Sequence, residues 1–228
     1  MTTGQKIIKY MAVAFALFLS ISILSGICSA IFTVTGLMGG TATGDMKGYV
    51  IEGDFTDLKI DVSVAELEIK TADEWKFETN SKYIELKEEN GKLEIRENRP
   101  SFVLRPGGSK AILTIPEDTV LEYADIDTGV GEVTIDGLSA DVLVMDIGIG
   151  EVNAKKVEVL NKAEIDYGIG ETNLGLKGSA LDYQISLDKG IGEAMLENQE
   201  MQDDCVYGYG NRRIEIDGGI GELNIIFE

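Results

Sequence analysis

The chain has 228 residues and a formal charge of −20, from 40 acidic against 20 basic side chains. Such a surface repels nucleic acid and anionic lipid, so neither is expected as a partner; it suits divalent cations, a basic partner, or solubility alone. Histidine is absent, which removes the Ser-His and Cys-His nucleophile systems and the usual zinc and iron ligand sets.

Residues 1–9 form a short basic terminus carrying Lys6 and Lys9, and no charged residue follows until after Gly44. The sequence predicts one transmembrane helix over residues 10–36, since the core from Tyr10 to Phe32 exceeds the roughly 20 residues that cross a bilayer. Lysines on its amino side place residues 1–9 in the cytoplasm and carry the rest outside the cell membrane. A secretory signal peptide cut after Cys28-Ser29-Ala30 is the rival reading. Against it, the apolar run continues through Ile31, Phe32 and Val34. Ile27 is too large for a lipidation box before Cys28. Ser22, Gly26 and Ala30 fall four apart, as in a helix-pairing face or simply in an ordinary span. Cys28 and Cys205 stand in unlike surroundings, so no disulfide is expected.

Residues 37–48 read as a Gly/Thr-rich linker. Residues 49–228 read as one extracytoplasmic β domain: a hairpin-containing part over 49–110, then regular repeats over 111–228. In the first part, Leu58 to Val64 alternates strictly. Asn90-Gly91 sits between two alternating runs, the strongest short-range hairpin signal. The loop from Arg99 to Lys110 sets Phe102, Val103 and Leu104 among Arg96, Arg99, Arg105 and Lys110. It is read either as a docking site, with Phe102 and Arg105 as contacts, or as a loop folded over the core.

The repeats carry a six-residue pattern, Asp-x-Gly-[Ile/Val]-Gly-Glu, whose copies begin at Asp127, Asp146, Asp166, Asp188 and Asp217. A worn copy begins at Asp61, with Ser63 and Ala65 in place of the glycines and Glu66 retained. A period of about twenty residues marks stacked repeats. Residues two apart share a face in extended chain. The apolar residues three before the first glycine (Ile126, Met145, Ile165, Leu187, Ile216) and those between the glycines (Val130, Ile149, Ile169, Ile191, Ile220) are therefore expected to point inward together. The later apolar positions have the opposite parity, so a glycine corner must shift the alternation. The predicted fold is all-β: a β-solenoid, single-stranded β-helix or β-roll, of about twenty-residue repeats behind the helix. An insertion of roughly eight residues against that period lies within Asn198 to Arg213, where Tyr207 and Tyr209 are possible partner contacts. Ile225, Ile226 and Phe227 are read as closing the last rung, and an unclosed end could pair with another copy.

A basic terminus, one span and Asp-x-Gly-x-Gly-Glu strand repeats ending in Gly221 to Ile225 resemble the bacterial "putative adhesin" β-strand-repeat family of membrane-anchored envelope proteins, over about Gly48 to Glu228. The resemblance implies a β-solenoid outside the membrane, in a Gram-positive cell, and brings no catalytic residues. The repeats are more distantly similar to those of membrane-bound regulators of envelope stress.

Stacking would form an Asp ladder (Asp127, Asp146, Asp166, Asp188, Asp217) and a Glu ladder (Glu132, Glu151, Glu171, Glu193, Glu222). Either the Asp side chains accept hydrogen bonds from corner N–H groups, or stacked carboxylates and carbonyls hold calcium. No other cofactor is expected. The glycines do not form a dinucleotide fingerprint, which needs a third glycine opening a helix. The expected function is a non-catalytic envelope module that binds a protein or glycan or scaffolds its neighbours. The alternatives are a regulatory partner of envelope-stress signalling and a polysaccharide-active enzyme using carboxylates.

Overall fold

The computed structural model describes residues 45–98 and 109–228. The predicted span, the terminus before it, and the loop residues Phe102 and Arg105 lie outside the described residues, as does Cys28. Among the described residues no helix is long and apolar enough to cross a membrane.

Among the described residues, twelve strands form a single sheet. They are β1 (Lys47–Val50), β2 (Asp57–Ala72), β3 (Lys76–Thr79), β4 (Ile84–Glu89), β5 (Lys92–Glu97), β6 (Lys110–Pro116), β7 (Leu121–Leu176), β8 (Tyr183–Asp188), β9 (Ile191–Leu196), β10 (Gln199–Glu200), β11 (Cys205–Tyr207) and β12 (Arg212–Phe227). The Asn90-Gly91 hairpin is present between β4 and β5, with Glu89 opposite Lys92. Both turn residues have positive φ, 50° and 79°, the twist that a two-residue hairpin turn requires.

The long strand β7 bends at each motif copy and lies back on itself, so that Gly148 meets the Gly129 carbonyl and Gly168 meets the Gly148 carbonyl. β2 runs parallel to the start of β7 with Asp61 beside Asp127 and Glu66 beside Glu132. β12 runs parallel to its end with Asp217 beside Asp166 and Glu222 beside Glu171. The other side of β12 takes β8 and β9, with Asp188 beside Asp217 and Glu193 beside Glu222. In space the copies therefore run 61, 127, 146, 166, 217, 188.

This order corrects the solenoid expectation. Successive coils of a solenoid would put the Asp188 copy directly on the Asp166 copy, yet the last copy in sequence lies between them. Both flanks of the sheet are antiparallel: β1 on β3 and β3 on β6 at one end, β11 on β8 and β10 on β9 at the other. The result is one mixed sheet curled into a half-barrel. The insertion explains the change. Its residues turn back through Glu197 and Asn198, both at positive φ, and pair with the copy that precedes them. The chain then re-enters inside that copy as β12. Ile225, Ile226 and Phe227 accordingly run within the sheet, beside Leu174, Gly175 and Leu176, and do not close its end.

Apolar columns fill the concave side. Ala124, Leu143, Ala163, Ile214 and Ile185 are buried, as are Ile126, Met145, Ile165, Ile216 and Leu187. Past the corner, Val133, Val152, Leu223 and Ala194 are buried too. Each fully buried Leu, Ile or Val contributes about 1.5–3 kcal/mol relative to exposure. Tyr167 fills space that a glycine leaves open: a Cβ on Gly218 would lie 2.4 Å from its hydroxyl.

Candidate functional site: the glycine-corner face

The residues between the paired glycines do not face the core. Val130 is 44 % and Ile191 50 % exposed, and Ile149, Ile169 and Ile220 are half-buried. The inward parity ends one corner position earlier than the alternation predicts. Burial stops at the residue before the first glycine, where Thr128, Ile147 and Tyr167 are buried. It resumes three residues after the aliphatic position. The alternation slips across the whole Gly-x-Gly segment, which leaves its middle residue outside.

Close approach of neighbouring backbones, and not inward turning of the aliphatic residue, is what demands glycine here. Gly150 has φ 156°, and a Cβ on it would lie 1.7 Å from the Gly131 carbonyl oxygen. The same contact recurs from Gly221 to Gly170, also at 1.7 Å. These Cβ positions all face the neighbour on the side of the Asp61 copy. That end copy tolerates Ser63 and Ala65 because no described strand stacks beyond its own corner: β5 pairs with β2 as far as Asp61, and β6 only from Glu66. The open corner is instead met by the buried Glu97 carboxylate, which accepts a hydrogen bond from the Ser63 N–H at 2.9 Å.

Each corner thus shows three outward columns: Asp127, Asp146, Asp166, Asp217, Asp188; then Val130, Ile149, Ile169, Ile220, Ile191; then Glu132, Glu151, Glu171, Glu222, Glu193. At the worn copy, Asp61 lies 3.8 Å from Arg96, and Glu66 lies 2.6 Å from Lys110. Two members of the basic cluster predicted as a docking loop therefore neutralise the end of the carboxylate ladders. Among the described residues, none of the ten carboxylates in the five regular copies is in an ion pair, and none of the five Asp side chains accepts a corner N–H hydrogen bond. The expected Asp-to-corner bond is thus not formed, since the corner backbones serve the next strand instead.

Crowding shows in the acids themselves. Burial raises the Asp127 carboxyl above its ordinary pKa, with added repulsion from Asp146, Asp61 and Asp125 and a smaller opposing pull from Lys59. Asp166 is raised likewise by burial first, then by Asp217, Asp146 and Glu164. Among the described residues no group of three or more Asp, Glu, Cys or His side chains is gathered so as to hold a metal ion. The calcium ladder finds no assembled ligand set.

Beside the Glu column runs a feature the sequence reading passed over. Asn173 donates to Asn153 Oδ1 at 3.1 Å and to Glu171 Oε1 at 2.9 Å, and it accepts from Asn224 Nδ2 at 3.0 Å. The sign was an asparagine two residues after the motif Glu in three copies.

The insertion contacts are divided. The Tyr207 hydroxyl accepts from the Gln202 N–H and is half-buried, so it braces the insertion. Tyr209 is 99 % exposed. Under β11 lies a groove of about 500 Å³ lined by Asp166, Asp188, Asp204, Asp217, Glu164 and Glu215 among others. Lys162 bridges Glu164 and Glu215 at 2.6 and 2.8 Å.

No family model and no curated protein matches this chain. Among solved structures, a putative cell adhesion protein from Clostridium sporogenes matches with a TM-score of 0.57 at 17 % identity, covering 81 % of this chain and 99 % of that one. The chain shares the fold of that Clostridium sporogenes protein. A putative adhesin from Bacteroides fragilis also matches, at a TM-score of 0.39 and 12 % identity over 79 % of this chain and 95 % of that one.

Proposed function

We propose that this chain is a non-catalytic binding module of the bacterial cell envelope, adhesin-like or scaffolding, held to the membrane by residues 10–36. Its likeness in fold to the putative cell adhesion protein of Clostridium sporogenes carries the reading. The surface chemistry agrees with it. Acid residues are distributed column by column along the repeat, whereas glycoside hydrolysis needs one carboxylate pair set apart at a working distance. The columns offer a long, regular contact face and no single reacting centre.

Expression of the full chain and of a variant lacking residues 10–36, followed by fractionation and protease treatment of intact cells, tests the anchoring and orientation. The full chain is expected in the membrane fraction with its β domain open to protease. Recovery of both forms in the cytosol would overturn the reading. Turnover of cell-wall glycan by the purified chain would overturn its non-catalytic part.

A further inference from the structure

The aliphatic column of the corner face is an apolar stripe with carboxylates along both sides. Neighbouring rungs lie roughly 4.8 Å apart, so its five residues span about 19 Å. Beyond the neutralised end copy, the ten carboxylates of the two flanking columns form no ion pair with any described lysine or arginine. The stripe keeps β-branched Val or Ile at every rung although the core does not enclose it.

From this geometry we propose that the corner face docks a cationic amphipathic helix, with its apolar stripe on Val130, Ile149, Ile169, Ile220 and Ile191 and its basic residues against the Asp and Glu columns. The inference rests on the reading of the chain as a binding module and names its partner class. Length fits: about 19 Å corresponds to some thirteen residues of helix at 1.5 Å each. Shape fits as well. A single extended chain presents one line of side chains to a surface, whereas a helix presents an apolar stripe with basic flanks on both sides at once. Charge selects among occupants. Anionic lipid would meet two rows of like charge, and so would a second copy of this acidic chain.

The test uses the full chain in nanodiscs of zwitterionic lipid, with empty nanodiscs as the blank, and a fourteen-residue Leu/Lys peptide designed as an amphipathic helix. Titration calorimetry should show binding that weakens at least tenfold with a scrambled peptide of the same composition. The same loss is expected for the double variant Ile149→Asn with Ile169→Asn, and for Glu151→Lys with Glu171→Lys. Glu151 and Glu171 are exposed and Ile149 and Ile169 half-buried, and an unchanged melting curve confirms that each variant is folded. Equal binding of the scrambled peptide would reduce the effect to net charge and overturn the proposal. So would full affinity in the folded variants, an absence of binding, or a preference for anionic vesicles over the peptide. Fractionation of the same variants separates the two readings, because a chain that fails here yet stays anchored with its β domain outside leaves the envelope-module reading standing.

Discussion

Asp166 is the clearest case of a residue held against its own preference. Its carboxyl is raised by burial and by Asp217, Asp146 and Glu164. An acid whose pKa is higher folded than unfolded binds its proton more tightly in the fold, so its ionised form opposes folding at neutral pH. That opposition is relieved as pH falls through the raised value. Two carboxylates roughly 4.8 Å apart in water repel by about 0.9 kcal/mol, less in salt. Asp166→Asn is therefore expected to stabilise the fold at pH 7 by no more than about 0.5 kcal/mol, because the side chain is exposed and screened. Urea denaturation reads the gain, which shrinks as pH falls through the raised value and is gone once the acid is protonated in both folded and unfolded chains. Glu158 behaves in the opposite sense. The hydrogen bond from Lys177 lowers its pKa, so its contribution is present at neutral pH and lost on acidification. The six-residue motif was plain, but its parity was not. Period-2 alternation cannot say where within Gly-x-Gly the slip falls, and β-branched residues suit an exposed sheet surface as well as a core.

Among the elements, the corner explains the motif by exclusion. A carbonyl of the neighbouring strand occupies the place a side chain would need, so Gly150→Ala must push two backbones apart. A loss of about 3 kcal/mol or more is expected from thermal or chemical unfolding. Ala65→Gly, at the corner with no described strand beyond it, should cost less than about 1 kcal/mol. Equal effects at the two positions would contradict the packing described. The asparagine column makes a second test. Asn173→Asp removes both donated hydrogen bonds and sets a carboxylate against Asn153 Oδ1 and Glu171. A loss of about 1–3 kcal/mol is expected, whereas the same change at the unladdered Asn211 should be near neutral. The strands and the Asn90-Gly91 hairpin were legible because turn chemistry and alternation are local. The asparagine column became visible only once the copies were in register.

At the scale of the whole molecule, twenty-residue spacing announced stacked copies but not the order of stacking. A period constrains each copy to resemble its neighbours, and the Asp188 and Asp217 copies are alike enough to fit either place beside Asp166. The insertion decides between them, because it pairs back onto β8 and β9 and returns the chain on their inner side. Nothing in its composition states a direction, so the sequence suggested successive coils where the sheet is mixed and out of order. This arrangement brings five aliphatic rungs, two exposed and three half-buried, and their carboxylates into unbroken columns, on which the proposed docking depends. Oxidative cross-linking of paired cysteines, in a Cys28→Ser and Cys205→Ser background, tests it most directly. Asp166→Cys with Asp217→Cys should form a disulfide readily, since adjacent parallel strands bring their Cα atoms within bonding range, while Asp166→Cys with Asp188→Cys should not. Rapid cross-linking of the 166 and 188 pair, with none between 166 and 217, would show the copies wound in sequence and contradict the account.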